Sequence, residues 1–133
     1  PMLLDEDKQL FIAGNMGDVK SMCNLMVVHN FSVSEIMKID PLNNQTILHR
    51  ICTFGHISAL LFVKAILSES EFLKQIFLSN STDQKPIEYA LQYGQVSVIK
   101  HLFEIKSVKE KYQQSMDLLY RIFYHLFAFN RNQ

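Results

Sequence analysis

The 133-residue chain has no tryptophan, only two cysteines, three prolines and four glycines, and no long hydrophobic run. Its cysteines, Cys23 and Cys52, lack paired spacing, which argues against a disulfide framework and suits a reducing compartment. Apolar stretches are short and interrupted by charge, as in LLFVKAILSESEFLKQIF, so the sequence predicts no membrane-spanning helix. The first residues, PMLLDEDK, carry acids where a signal peptide would carry bases.

The chain also lacks an excess of either charge. Its 13 basic residues balance 13 acidic residues, and the formal net charge is zero. A basic surface for phosphate backbones or for anionic lipids is therefore not expected, and neither nucleic acid nor a membrane is predicted as a partner. With 48% hydrophobic residues, residues 1–133 can form one domain with a real core. We expect an intracellular, cytoplasmic protein.

Three segments of the chain repeat one pattern around a glycine. They are LFIAGNMGDVKSMCNL (10–25), LHRICTFGHISALLFV (48–63) and IEYALQYGQVSVIKHL (87–102). Their glycines, Gly17, Gly55 and Gly94, are 38 and 39 residues apart. Apolar residues recur every three or four positions on both sides, and each glycine supplies the positive φ that ends a helix. The pattern predicts an all-α fold of helix-turn-helix units, which must stack as a solenoid to bury their apolar faces.

At these positions the sequence resembles the ankyrin repeat. The second unit matches its motif best, at Asp40, Asn44, Thr46, Leu48, His49, Gly55 and His56. The third unit keeps Pro86, Ile87, Ala90 and Gly94, and the first keeps Ala13, Gly17 and Asp18. The resemblance implies short finger loops between units, and it assigns a structural role to Gly17, Thr46, His49, Gly55, Pro86 and Gly94.

The expected units are about 5–39, 40–79 and 80–112, followed by a half-unit or capping helix at 113–133. Ankyrin units run to about 33 residues, so these units are longer. The surplus lies after the second helices, in VVHNFSVS and ILSESEFLK, and we interpret it as extra helical turns or short helices. The segments before the second and third fingers are EIMKID (35–40) and QIFLSN (75–80). In them, Ile36 and Ile76 occupy the motif's buried valine position.

The stretch NNQTILHRICTFGHISALL (43–61) places a thiol between two imidazoles, as a hydrolase or a metal site could. The resemblance implies instead that His49 bonds the backbone of a neighbouring turn and that Cys52 packs inside. A Cys–His nucleophile would need a free imidazole and an orienting group, and zinc would need three or four converging ligands. We expect no catalytic residue, no metal and no cofactor.

The resemblance also implies a concave side, lined by first helices and finger tips, where such modules bind protein partners. The residues just before each glycine are Met16, Phe54 and Tyr93, and the residues four earlier are Ile12, Arg50 and Tyr89, with Arg121 in the half-unit. Aromatic residues and arginine concentrate binding energy in interfaces. Finger residues complete the candidate surface: Pro41, Leu42, Asn43, Gln45, Ser81, Thr82 and Gln84. Alternatively, some of these rings lie flat against neighbouring units as core.

The resulting hypothesis is a non-catalytic adaptor that binds a protein or peptide. The alternative is a substrate-recruiting or targeting domain of a larger enzyme or of a secreted effector, such as a bacterial effector or a viral host-range factor. In that case the compartment would be the host cytoplasm.

The apolar residues of the half-unit are too many to lie on one buried helix face. Its apolar residues are Leu118, Leu119, Ile122, Phe123, Leu126, Phe127 and Phe129. A terminal repeat without a polar outer face is poorly soluble, so we expect this helix to fold back as a cap. A homodimer through the C-terminal helix, or coverage by further residues of a longer protein, are the other options.

Overall fold

A computed structural model of the chain describes residues 5–30 and 32–113. Within those ranges the secondary structure is helical and no strand occurs, which confirms the predicted all-α class. The helices are α1 (Asp5–Met16), α2 (Val19–Val28), a 3-10 helix (Val33–Met37), α3 (Ile47–Phe54), α4 (Ile57–Ile66), α5 (Glu69–Ile76), α6 (Pro86–Gln92), α7 (Val96–Leu102) and α8 (Lys106–Lys111).

Three helix pairs, α1–α2, α3–α4 and α6–α7, are each separated by a glycine with positive φ. The φ angles are 67° at Gly17, 72° at Gly55 and 63° at Gly94. The amide after each glycine donates to the carbonyl four residues before it, which is the Schellman arrangement. These bonds are Asp18 to Ala13, His56 to Ile51 and Gln95 to Ala90. The predicted breaks between helices are therefore present and share one geometry.

The segments between the pairs form short helices, as their length predicted. The 3-10 helix Val33–Met37 follows α2, and α5 follows α4. Ser68 caps α5 by accepting a hydrogen bond from the backbone amide of Glu71 at 3.2 Å. Ile36 and Ile76 are fully buried, so each inserted helix contributes an apolar side chain to the core.

The first helices of the pairs pack side by side, α1 on α3 and α3 on α6. The approach of α1 to α3 is close, because a Cβ atom at Gly14 would overlap the side chain of Ile47. The fully buried apolar side chains among the described residues between 5 and 99 are Leu10, Met22, Ile36, Ile47, Leu48, Ile51, Cys52, Ala59, Leu60, Val63, Phe72, Ile76, Ile87, Ala90 and Val98. Side chains contributed by the three helix pairs and the inserted helices thus form the core.

The chain divides into two compact units between Ile99 and Lys100, within α7. The larger unit contains the first helices of all three pairs. In the smaller unit, Leu102, Phe103 and Val108 are buried, and the Phe103 ring meets Tyr112 edge to face at 6.2 Å. The predicted half-unit, with Arg121 and the capping or dimerising helix, lies outside the described residues apart from its first position, 113.

Candidate functional site

Three exposed side chains occupy equivalent positions at the ends of the first helices. Met16, Phe54 and Tyr93 directly precede the three glycines, and their exposed fractions are 67%, 55% and 53%. Because α3 packs between α1 and α6, these side chains form one series, which we name the pre-glycine row. Large apolar groups left this exposed at repeated positions are candidates for contact with a partner.

Arg50, predicted to face a partner, is held by contacts within the chain. Its Nη1 atom donates to Asn15 Oδ1 at 3.2 Å and its Nη2 atom to Asp40 Oδ2 at 3.3 Å. The guanidinium carbon lies 5.1 Å from the centre of the Phe11 ring. The first function of Arg50 is therefore to connect α1, α3 and the loop before α3.

Tyr89 occupies the position of Arg50 in the next helix pair and supports Tyr93. Its hydroxyl accepts hydrogen bonds from Asn80 Nδ2 at 2.9 Å and from Gln45 Nε2 at 3.4 Å. Its ring stacks on Tyr93, with centroids 6.3 Å apart and planes 12° apart. His49 meets the same Tyr89 ring edge to face at 6.1 Å. Tyr89 is half-buried, so Tyr93 is the more accessible ring of the pair.

The two loops that precede α3 and α6 are built alike. The amide of Asp40 donates to Gln45 O at 2.8 Å, and the amide of Asn80 donates to Gln84 O at 2.9 Å. Asn43 is the link between the loops, since its carbonyl accepts from the Ser81 amide at 3.0 Å. A backbone hydrogen bond thus joins the two finger loops.

Leu42 lies at the tip of the first loop and is 90% exposed. Its amide donates to Asp40 Oδ1 at 3.0 Å, and the Gln45 amide donates to Asn43 Oδ1 at 3.0 Å. The tip therefore presents an apolar side chain on a fixed turn, with Leu42, Asn43 and Gln45 on one short segment.

The imidazole of His49 is fully buried and already bonded at both nitrogens. Nδ1 accepts from the Thr46 amide at 3.0 Å, so Nε2 carries the proton and donates to Gln84 O at 3.2 Å. Burial lowers the pKa of His49 below its usual value, because it penalises the charged form. His49 is thus a neutral connector between consecutive finger loops.

Cys52 is fully buried, and burial raises the pKa of its thiol far above the usual range. The thiolate needed for nucleophilic attack or metal binding is therefore strongly disfavoured. Among the residues that the structure describes, no group of three or more His, Cys, Asp or Glu could hold a metal ion.

Side chains that follow the glycines join consecutive pairs, a feature that the sequence interpretation missed. His56 Nε2 donates to Asn15 O and Gln95 Nε2 to Thr53 O, both at 2.7 Å. The sequence did carry a sign of these bonds, because a polar side chain with an N–H donor directly follows both Gly55 and Gly94. These bonds fix the spacing of the pre-glycine row.

Ile12 is 55% exposed and lies with Met16 on an open depression of about 380 Å³ between α1 and α2. The other lining residues are Gln9, Ala13, Asp18, Ser21, Asn24 and Leu25. Ile12 therefore lies on this depression beside Met16 and is not a member of the row. None of the helices in ranges 5–30 and 32–113 has the length and apolar character needed to cross a membrane.

No family model matches the chain, and no curated protein matches its sequence. Among solved structures, it is similar to a chain in the crystal structure of the yeast ribosomal protein Rps3 in complex with its chaperone Yar1. The TM-score is 0.66, the sequence identity is 19%, and the match covers 78% of this chain and 72% of that chain. At this identity the similarity shows the fold alone.

Proposed function

We propose that the chain is an ankyrin-type solenoid that binds a protein or peptide partner and performs no chemistry of its own. The observation that carries the proposal is the pre-glycine row, in which Met16, Phe54 and Tyr93 are each more than half exposed at equivalent positions. The stability of the fold does not account for large side chains at these positions, since each leaves most of its apolar surface in water.

The frame beneath the row supports the proposal. Leucine, isoleucine and alanine side chains fill the interior, and bonds between pairs, such as His56 to Asn15, hold the first helices in position. A rigid frame that presents aromatic groups loses little conformational entropy on binding. Tyr93 gains this advantage directly, because Tyr89 stacks beneath it.

The motif positions support the ankyrin assignment. His49 bonds the backbone of the following finger loop at Gln84, and Thr46 precedes α3 as the motif expects. Pro86 begins α6, where its missing amide proton costs nothing. The solved structure that shares the fold is itself a protein–protein complex, which is in keeping with a partner-binding role.

The test is an affinity capture with the wild-type chain and the double variant Phe54→Ala, Tyr93→Ala. Each substitution should weaken partner binding by about 1 kcal/mol or more, because each removes a large exposed contact side chain. The matched control is Leu61→Ala, which removes a 43% exposed leucine from α4. Circular dichroism establishes that all three proteins are folded.

The proposal requires partners that bind the wild type and the Leu61→Ala control but are lost by the double variant. Partners captured equally by all three folded proteins would show that the row is not the binding surface. Quantitative proteomics of the three captures, with titration of the highest-ranked partner, makes this comparison.

A further inference from the structure

The depression between α1 and α2 lies on the face that the second helix pair uses for stacking. Its lining residue Gln9 is 38 residues before Ile47, the interval that also separates Gly17 from Gly55. In the second pair, Ile47 packs so closely on α1 that a Cβ atom at Gly14 would overlap it. In the first pair, the described residues leave the same face open as a depression of about 380 Å³. We name it the open stacking face.

One position on this face makes a repeated bond between pairs. His56 donates to the carbonyl of Asn15, and Gln95, 39 residues after His56, donates to the carbonyl of Thr53, both at 2.7 Å. Asp18, 38 residues before His56, occupies this position in the first pair. An ionised carboxylate accepts hydrogen bonds and donates none. The first pair therefore cannot repeat the bond, and a group that binds here has to be a donor.

Asp18 carries a fixed negative charge. Its Oδ1 atom accepts from the Ser21 amide at 3.1 Å and its Oδ2 atom from the Ser21 hydroxyl at 2.6 Å. These bonds, the hydroxyl first, hold the pKa of Asp18 below its usual value. The positive end of α2 offsets about half an elementary charge, so the site remains negative.

The carboxylate of Asp18 also has room for a cation. Among the ion pairs of the described residues, none includes Asp18. Lys20 is exposed and contributes least to the lowered pKa of Asp18. A carboxylate offers about four acceptor sites, and Ser21 uses two of them. By charge complementarity, the open stacking face is suited to a positively charged donor.

The apolar lining suits the stem of a basic side chain. Ala13 and Leu25 are buried, whereas Ile12 and Met16 are 55% and 67% exposed beside them. Lysine and arginine lay their methylene stems on apolar surface of this kind and keep the charged head in a polar environment. An apolar surface that ends at a carboxylate therefore matches both parts of such a side chain.

The polar lining favours arginine over lysine. Gln9 and Asn24 add amide oxygens to the acceptors of Asp18, and a guanidinium has five N–H donors where an ammonium has three. The described lining contains no Lys, Arg or His, so the carboxylate of free arginine would meet no cation there. The lining therefore fits an arginine side chain within a polypeptide better than the free amino acid.

From the open stacking face, the unpaired carboxylate and the apolar lining, we propose that the depression between α1 and α2 binds an arginine side chain of the partner protein. The guanidinium donates to Asp18, and the stem lies on Ile12 and Met16. Because Met16 also belongs to the pre-glycine row, one partner segment can contact both surfaces. The proposal rests on the proposed partner-binding function and adds the chemistry of one partner residue.

The first experiment selects a displayed library of random peptides on the wild-type chain. Each binder is then measured on Asp18→Asn, on Glu69→Gln and on the double variant Phe54→Ala, Tyr93→Ala. Asp18→Asn removes the charge and keeps a good helix cap, and circular dichroism checks that the helices remain. Glu69→Gln is the matched control, since it removes a carboxylate from an exposed position on α5. Arginine-containing binders should lose about tenfold in affinity on Asp18→Asn and nothing on the control.

Peptides that the double variant loses distinguish the two proposals. If they share an arginine and bind Asp18→Asn more weakly, the arginine site is supported. If they bind Asp18→Asn as well as the wild type, the arginine site is wrong and partner binding through the row stands. Peptides that need Asp18 but not the row would support the arginine site and contradict the row. If no peptide depends on either surface, both proposals fail.

The second experiment measures fluorescence anisotropy with one labelled peptide from the selection, in which citrulline or lysine replaces the arginine. Citrulline keeps the shape and loses the charge, so it should cost about tenfold in affinity on the wild type and much less on Asp18→Asn. An equal cost on both proteins would overturn the contact between the guanidinium and Asp18. The lysine peptide should have intermediate affinity, and affinity equal to that of the arginine peptide would overturn the choice of arginine.

Discussion

The Nε2 atom of His56 donates a hydrogen bond to the carbonyl oxygen of Asn15 at 2.7 Å. Gln95 repeats this bond in the next helix pair, where its Nε2 atom donates to Thr53 O, also at 2.7 Å. Each side chain directly follows the glycine of its own helix pair. Each donates to the carbonyl that lies two residues before the glycine of the preceding pair. The bond is therefore a repeated connection between neighbouring pairs, made by two different residue types.

We expect His56→Ala to lower the free energy of unfolding by about 1–3 kcal/mol, because a partly buried carbonyl loses its donor. His56→Gln should lose less, since glutamine makes the equivalent bond at Gln95. Urea denaturation measures both variants. A His56→Gln protein no more stable than His56→Ala would mean that the packing of the ring on Gly17, rather than the bond, provides the stability.

Two of the glycines that end first helices should differ in their tolerance of a side chain. At Gly94 the φ angle is positive and an added Cβ atom would meet no described atom within 4 Å. Gly94→Ala should therefore cost about 1–2 kcal/mol from backbone strain alone. At Gly55 an added Cβ would also overlap the Gln95 side chain and disturb its bond to Thr53. Gly55→Ala should be clearly more destabilising in thermal unfolding, and equal losses would contradict the role of the Gln95 contact.

Local features of this structure were predictable from the sequence, and the resemblance also predicted the bond from His49 to the backbone of the next loop. The other side-chain contacts between pairs were not predicted. The breaks at Gly17 and Gly55 follow from residue spacing and from the left-handed conformation that glycine adopts easily. The partners of Arg50 lie 35 and 10 residues away, at Asn15 and Asp40, and depend on how the pairs stack. Periodicity places Arg50 on a helix face but does not predict which groups accept hydrogen bonds from its guanidinium.

His49 should make stability depend on pH. Its buried ring is neutral, with Nδ1 accepting from Thr46 and Nε2 donating to Gln84, and burial holds its pKa below the usual value of about 6.5. The unfolded chain therefore binds this proton first as pH falls. The stabilising contribution is complete above about pH 6.5 and decreases as pH falls toward the lower pKa of the folded state.

Urea denaturation between about pH 8 and about pH 5 should show a larger loss for the wild type than for His49→Gln, which has no titrating group at this position. An NMR titration of the ring protons of His49 should give a midpoint below about 6.5. A midpoint at or above that value would contradict the assignment of His49 as a ring held neutral by burial and by the bond from Thr46.

Asp40 performs two tasks that substitution can separate. Its Oδ1 atom accepts from the Leu42 amide at 3.0 Å, and its Oδ2 atom accepts from Arg50 at 3.3 Å. Asn80 performs the matching tasks in the next loop, where Oδ1 accepts from Thr82 and Nδ2 donates to Tyr89. The same position thus uses an ion pair in one loop and a neutral pair in the other.

Asp40→Asn keeps the turn acceptor but removes the charge opposite Arg50, so we expect a loss of about 1–3 kcal/mol. Asp40→Ala should lose about 1 kcal/mol more, because the turn acceptor also disappears. The double variant Asp40→Asn, Arg50→Tyr copies the neutral pair of the next loop and should be more stable than Asp40→Asn alone. Urea denaturation of the three variants decides this, and a double variant that recovers no stability would show that the two loops are not interchangeable.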